Sequence, residues 1–208
     1  MRSPFPNNIA FTCLHANSDL PISDLLLPAE LSLLSPLATE NRLLQFGLGR
    51  KAARTALQAL AIKPVPILQG QDRAPIWPDG IVGSISHSTN RAVAVAAHSK
   101  DYLGIGIDLE SIRNSALNVL ARIASPEEQS WVAGDLLRAT TLFSAKESIF
   151  KALHPIHKQP MGFLDVIFHA GVVELQRDFL PFRKGQQFKL LIQYEHGLVL
   201  TGVVITSK

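Results

Sequence analysis

Cysteine is nearly absent from this chain: Cys13 is the only one in 208 residues. An internal disulfide is therefore excluded, and so is a thiolate metal cluster. Nothing near Cys13 activates a thiolate, so it reads as filler in an apolar segment. Charge is sparse as well, at 18% Asp, Glu, Lys and Arg, with a net charge of +3 and no long Lys/Arg run. So mild an excess favours anionic partners such as phosphates, nucleotides or acidic proteins, and does not make a nucleic-acid-binding surface. No apolar run reaches membrane-spanning length, and Met1–Ile9, with Pro4, Pro6, Asn7 and Asn8, lacks the apolar region of a signal peptide. The expectation is a cytoplasmic protein with no membrane and no nucleic-acid partner. A Walker-type G-x-x-x-x-G-K-[ST] loop is missing too. Apolar residues, by contrast, make up 47% of the chain, enough to build the core of one large domain or two small ones.

Periodicity predicts a helix over Leu37–Leu60, with Leu43, Leu44, Phe46, Ala52, Ala53, Ala56 and Leu57 on its apolar side. Arg42, Arg50, Lys51 and Arg54 fall mostly on the other face. Residues 64–80 are dense in Pro and Gly and read as a loop with short extended pieces. Ile81–Ile85 and Ala92–Ala97 read as strands joined by a polar turn over Ser86–Asn90, and Tyr102–Leu109 as a third strand. Ser125-Pro126-Glu127-Glu128 has the chemistry of a helix start: Ser as N-cap, Pro at the first helical position, acids in the first turn. Leu117–Ile123 and Ala139–Leu153 read as helices, and Phe163–Val173, Phe188–Tyr194 and Leu198–Ile205 as strands. Each half thus carries a helix and several strands. The expected fold is α+β: two similar-sized, pseudo-symmetric lobes, 1–102 and 103–208, each a helix on a small, mostly antiparallel sheet, with the active site between them.

Two segments carry chemistry. In Gly104–Glu110 (GIGIDLE), strand alternation puts Asp108 and Glu110 on one face and Ile107 and Leu109 on the other. Two carboxylates on one face repel, and a hard cation with oxygen ligands is the natural charge to set between them. In Phe143–Lys151 (FSAKESIFK), Glu147 and Lys151 lie four apart on one helix face, among Leu142, Phe143, Ile149, Phe150 and Leu153. Each segment alone has an ordinary explanation: solvated acids on a strand, and a surface salt bridge on a helix. Together, Asp108, Glu110 and Glu147 could hold magnesium, with Lys151 and Lys146 beside bound phosphates.

Taken together, the two segments resemble the signature of the 4′-phosphopantetheinyl transferase superfamily: a G-x-D-x-E-like strand followed by an aromatic-[ST]-x-K-E-[SA]-x-x-K helix. Arg73–Gly80 with Gly83–Ser88, and Gly49–Ala53, resemble the R-x-P-x-W-P-x-G…GSISH and GR-x-x-A elements of the surfactin- and enterobactin-type, two-lobed subgroup. The resemblance spans about Gly47 to Asp165. It implies transfer of 4′-phosphopantetheine from coenzyme A to a serine of an apo acyl or peptidyl carrier protein, in nonribosomal peptide (siderophores included) or polyketide synthesis, by a monomer. It implies magnesium on Asp108, Glu110 and Glu147, and Lys151 on the pyrophosphate. His87, Arg50 and Arg73 would grip the 3′-phosphoadenosine end, with Ser86 adding its hydroxyl. Lys146 would contact substrate or support the site. Glu128, with Glu127 as alternative, would stand where some members place a proposed base. Phe143 replaces the Trp of some members.

Two other classes stay open at this level: another magnesium-dependent phosphoryl-transfer enzyme, and a non-catalytic nucleotide or carrier binder. His154-x-x-His157 has zinc-like spacing, but Pro155 between them breaks the helical geometry, and no zinc site is expected. Trp77 and Trp131 are expected to pack rather than bind.

Overall fold

The computed structural model describes residues 1–16, 21–169 and 171–207. Among them the chain runs β1 (Ala10–His15), α1 (Ile22–Leu25), α2 (Pro28–Leu31), α3 (Glu40–Ala59), β2 (Leu68–Gln69), β3 (Pro75–Ile76), β4 (Ile81–Ser88), β5 (Arg91–His98) and β6 (Tyr102–Ser111). It continues through α4 (Ser115–Ile123), α5 (Pro126–Val132), α6 (Leu136–His157), β7 (Val166–His169), β8 (Val172–Leu175), β9 (Gln187–Glu195) and β10 (Leu198–Thr206). The architecture is α+β in two lobes. One is a three-stranded antiparallel sheet ordered β1-β5-β4 with α3 against it; the other is a five-stranded sheet ordered β6-β10-β9-β8-β7 carrying α6. The lobes share a plan but not a sheet size.

Strand alternation explains how they join. On β5, Ala94 and Ala96 face α3, where Ala52, Ala53 and Ala56 allow a close helix-sheet approach. The alternate residues Val93, Val95 and Ala97 face the other way, into a core shared with Ile105, Ile107 and Leu109 of β6. Having buried those residues against β5, β6 turns its opposite face to α6. There Gly104 and Gly106 leave room for helix backbone: a Cβ on Gly106 would collide with the Ser148 carbonyl oxygen and lie 2.8 Å from the Ala152 nitrogen. The two glycines therefore bring strand and helix together main chain to main chain, and Asp108 and Glu110 continue along that face.

Between the lobes, β4 and β6 run alongside one another without a backbone ladder. Instead, serines at alternate positions of β4 reach across. The Ser84 hydroxyl accepts from the Ile107 N–H at 3.1 Å, and the Ser86 hydroxyl accepts from the Leu109 N–H at 3.2 Å. The Ser88 hydroxyl bonds that of Ser111 at 2.8 Å. The polar segment expected to be a turn is therefore mostly strand, which runs to Ser88, and only Thr89 and Asn90 turn. The helix expected to stop before Pro155 also continues, to His157. Proline there removes one backbone bond near the helix end, and the last turn still closes through Lys158 N–H to His154 O at 2.9 Å. The Ser125 N-cap forms as expected, with Glu128 completing a capping box. No helix among the described residues is long and apolar enough to cross a membrane.

Candidate active site

The junction of β4, β6, α3 and α6 opens into a cleft of ≈ 790 Å³. Arg42, Arg50, Arg73, Lys151 and Lys158 line it against one acid, Asp72, so its wall is cationic; His87 lines it too. Arg50 and Arg42 sit one helical turn either side of Phe46, their guanidinium carbons 4.3 and 5.5 Å from the ring centroid. The basic residues of α3 are not a solvated face: Arg50 is 5% exposed, and Arg54 is ion-paired to the buried Glu30. Arg50 Nε and one terminal nitrogen are buried with no hydrogen-bond partner among the described residues. Burial pulls the Arg50 pKa down to about 10, with Arg42 and Arg54 adding to the effect. An unpaired buried guanidinium facing a cleft calls for an anion. His87 is held below its ordinary pKa by burial first, then by Arg42 and Lys151. It faces the cleft as a neutral ring among cations.

Lys151 links the cleft to the carboxylates. Its ammonium donates to Asp108 Oδ1 at 2.6 Å, and to Ser86 Oγ and Ile107 O at 3.3 Å each. Asp108 is 3% exposed, and its second oxygen, Oδ2, is buried without a partner among the described residues. Among the described residues Glu110 has one ion-pair partner, Arg113, at 3.8 Å. Burial, followed by the charge of Asp108, pushes the Glu110 pKa up to about 7, and Glu147 adds to the rise. Glu147 is raised as well, by burial and by Asp108, and makes no hydrogen bond or ion pair among the described residues. It lines a smaller recess of ≈ 140 Å³ with Phe150, Met161 and Phe163; Phe150 also lines the cleft.

Lys146, which lines the same recess as Glu147, pairs with Glu128 rather than with these acids. The Lys146 ammonium is buried and donates to Ile123 O and Glu128 Oε2 at 2.7 Å each, and to Phe163 O at 3.0 Å. Glu128 Oε2 also accepts from Ser125 N–H at 2.8 Å, and Oε1 from Phe168 N–H at 2.7 Å. Lys146 has spent all three of its protons and Glu128 accepts three bonds, so the pair ties α5 and β7 to α6. Glu128 is 2% exposed and ion-paired to Lys146, which leaves it badly placed to meet a substrate hydroxyl. Glu127 is exposed on the first turn of α5, where it accepts from the Ser125 hydroxyl. Ser86, expected on the anion-binding side, points the other way from its neighbour His87 and toward Asp108.

Two family models match this chain. Residues 32–97 match the 4′-phosphopantetheinyl transferase N-terminal domain, and residues 104–205 match the 4′-phosphopantetheinyl transferase superfamily. Enterobactin synthase component D of Escherichia coli K12 is 33% identical over 159 residues, which are 74% of this chain and 72% of that protein. The chain belongs to the 4′-phosphopantetheinyl transferase superfamily. The 4′-phosphopantetheinyl transferase Svp of Streptomyces mobaraensis is 39% identical over 157 residues; the match takes in 72% of this chain but 63% of that longer protein. A solved structure of Helicobacter pylori holo-[acyl-carrier-protein] synthase in complex with coenzyme A covers 50% of this chain and 99% of its own, at 25% identity and a TM-score of 0.40.

In this superfamily member the acids fit a hard divalent cation. The charge of Asp108 raises the proton affinity of both Glu110 and Glu147, and among the described residues one buried oxygen of Asp108 is unclaimed. Among the described residues no three acidic, His or Cys side chains are already drawn into a metal cage. Lys151 is the cation that Asp108 holds. A pH dependence follows from Glu110. With a folded pKa near 7, against an ordinary 4.5, the empty protein holds a proton that the unfolded chain releases. That contribution to stability is complete below pH 4.5 and is lost as the pH rises through 7. A cation must displace the same proton, so its affinity should fall roughly tenfold per pH unit below 7. Thermal melts with and without magnesium at pH 6 and pH 8 check this: the larger gain is expected at pH 8.

Sequence reasoning missed Arg42 and Lys158 in the cleft wall. For Arg42 a signal existed, since Arg42, Phe46 and Arg50 recur every four residues along α3.

Proposed function

We propose that this chain transfers 4′-phosphopantetheine from coenzyme A to a serine of an apo acyl or peptidyl carrier protein, releasing 3′,5′-ADP. The observation that carries the reading is the run from the unpaired Arg50 guanidinium, through the cationic cleft and Lys151, to the free oxygen of Asp108. It suits a ligand with phosphate at one end and a pyrophosphate at the other. The lobe of residues 1–102 takes the 3′-phosphoadenosine end through Arg50, Arg42, His87 and Arg73. The lobe of residues 103–208 takes the pyrophosphate.

Magnesium would sit on Asp108, Glu110 and Glu147, where it would polarise the pyrophosphate and offset charge on the leaving group. Lys151 lies on both cleft and carboxylates and neutralises the phosphate charge from the protein side. Glu147 faces the apolar recess and is the carboxylate placed to take the serine proton as the serine oxygen bonds to the β-phosphorus. The bond from that phosphorus to the oxygen of 3′,5′-ADP breaks in the same displacement. Glu128 and Lys146 hold the scaffold rather than the substrate. The enzyme would act in the cytoplasm, as a monomer, on acidic carriers drawn to its basic surface.

Mass spectrometry tests the whole reading. The protein, magnesium, coenzyme A and an apo carrier are incubated together, and the carrier should gain one phosphopantetheine. No gain on any of several carriers from peptide, polyketide and fatty-acid synthesis overturns it. Arg50→Met tests the anion end. It should weaken 3′,5′-ADP binding at least tenfold by calorimetry, since a charge-assisted contact is worth about 1.5–3 kcal/mol. The melting temperature of the empty protein should hold or rise, because an unpaired buried charge is gone. Unchanged affinity with a lower melting temperature would count against it.

A further inference from the structure

Ser86 sits where one lobe meets the acids of the other. Its hydroxyl donates to Asp108 Oδ1 at 2.9 Å. The same oxygen accepts from the Leu109 N–H at 3.2 Å and from the Lys151 ammonium at 3.3 Å. A serine hydroxyl has one proton to give and two lone pairs to fill. Here all three are in use, and the residue is 7% exposed. No proton remains for a phosphate oxygen unless Asp108 is abandoned. Strand alternation adds a geometric reason, because His87 faces the cleft and Ser86 faces β6.

We propose that Ser86 is a positioning residue for the cation site: from the N-terminal lobe it fixes Asp108 through Oδ1 and so presents Oδ2 to the cation. The inference rests on the carboxylate site of the proposed function. Asp108 Oδ1 is held by Ser86 and Lys151, while Oδ2 is buried and unclaimed. Without the hydroxyl, Lys151 alone would hold the carboxylate, and either oxygen could turn toward it. Partners of this kind typically change metal affinity 10–100-fold when removed. The Ser84 hydroxyl supplies an internal comparison. It makes the same cross-lobe bond to a backbone N–H, at Ile107, but touches no carboxylate.

The test measures Mn²⁺ binding by electron paramagnetic resonance without coenzyme A, and 3′,5′-ADP binding by calorimetry without metal. Wild type, Ser86→Ala and Ser84→Ala are compared, each checked for folding by circular dichroism. Ser86→Ala should lose tenfold or more in Mn²⁺ affinity and keep its 3′,5′-ADP affinity. Ser84→Ala should keep its Mn²⁺ affinity, with a lowered melting temperature. Mn²⁺ affinity within twofold of wild type in Ser86→Ala overturns the inference, and if 3′,5′-ADP binding falls instead, Ser86 is an anion contact and the proposed function stands. Wild type that binds no Mn²⁺ overturns the carboxylate site itself.

Discussion

Replacing Glu147 with glutamine should lower the rate of phosphopantetheine transfer roughly a thousandfold or more while the protein stays folded. The activity loss follows from its place: it is the one acid of the three that faces both Asp108 and the apolar recess. Amide keeps the shape but neither accepts the serine proton nor offers a charged oxygen to a cation. The stability effect should have the opposite sign. Burial and Asp108 raise the Glu147 pKa, so the ionised side chain costs the empty protein something that glutamine does not. The variant should therefore melt at or above the wild-type temperature, by a margin that grows as rising pH ionises the wild-type acid. Carrier mass gain and a thermal melt on one preparation check both halves. Normal transfer by Glu147→Gln would sink the assignment of the acids.

Gly106→Ala should have the largest effect on folding. The added Cβ meets the Ser148 carbonyl and the Ala152 nitrogen, both backbone atoms of α6 that no rotamer change can move. The expected cost is about 3 kcal/mol, which for a chain of this length is a melting temperature lower by about 10 °C. Gly202→Ala makes the comparison, since its Cβ would meet only the ring of Phe5. A side chain can rotate away, so the loss there should be smaller. Equal melting temperatures for the two variants would mean that the strand-helix contact is softer than described. Gly106→Ala should also weaken cation binding in whatever fraction folds, because Asp108 lies two residues along the strand being pushed away.

The parts of this molecule visible from sequence are those where local chemistry and tertiary surroundings agree. Strands β9 and β10 were expected at Phe188–Tyr194 and Leu198–Ile205 and form at Gln187–Glu195 and Leu198–Thr206. Apolar residues in both runs meet a core, so pattern and environment coincide. Residues 86–90 misled because polar residues next to a turn read as turn, whereas the hydroxyls of Ser86 and Ser88, with that of Ser84 before them, substitute for a missing strand partner. Pro155 misled for a related reason: its cost near the helix end is small once the turn closes around it. β1 has no motif and pairs with β5 across most of a lobe in sequence, a long-range contact that no window of neighbours shows. In the site, spacing brought out Asp108, Glu110, Glu147 and Lys151. That Lys146 and Ser86 have no proton left to give, and that Glu128 is held by Lys146, was not visible, because hydrogen-bond partners come from distant segments.

The unpaired guanidinium of Arg50 also bears on how ligands for this protein are sought. An empty protein holding a buried, unanswered cation gains from many small anions of suitable size, whether or not they are substrates. Sulfate and inorganic phosphate at buffer concentrations would raise its melting temperature, and a dye-based screen run in phosphate would hide true hits against that background. Compounds bearing one acidic group would rank above larger molecules that reach the carboxylates. Counter-screening on Arg50→Met, in a buffer free of oxyanions, would separate molecules that merely answer the charge from those that fill the cleft.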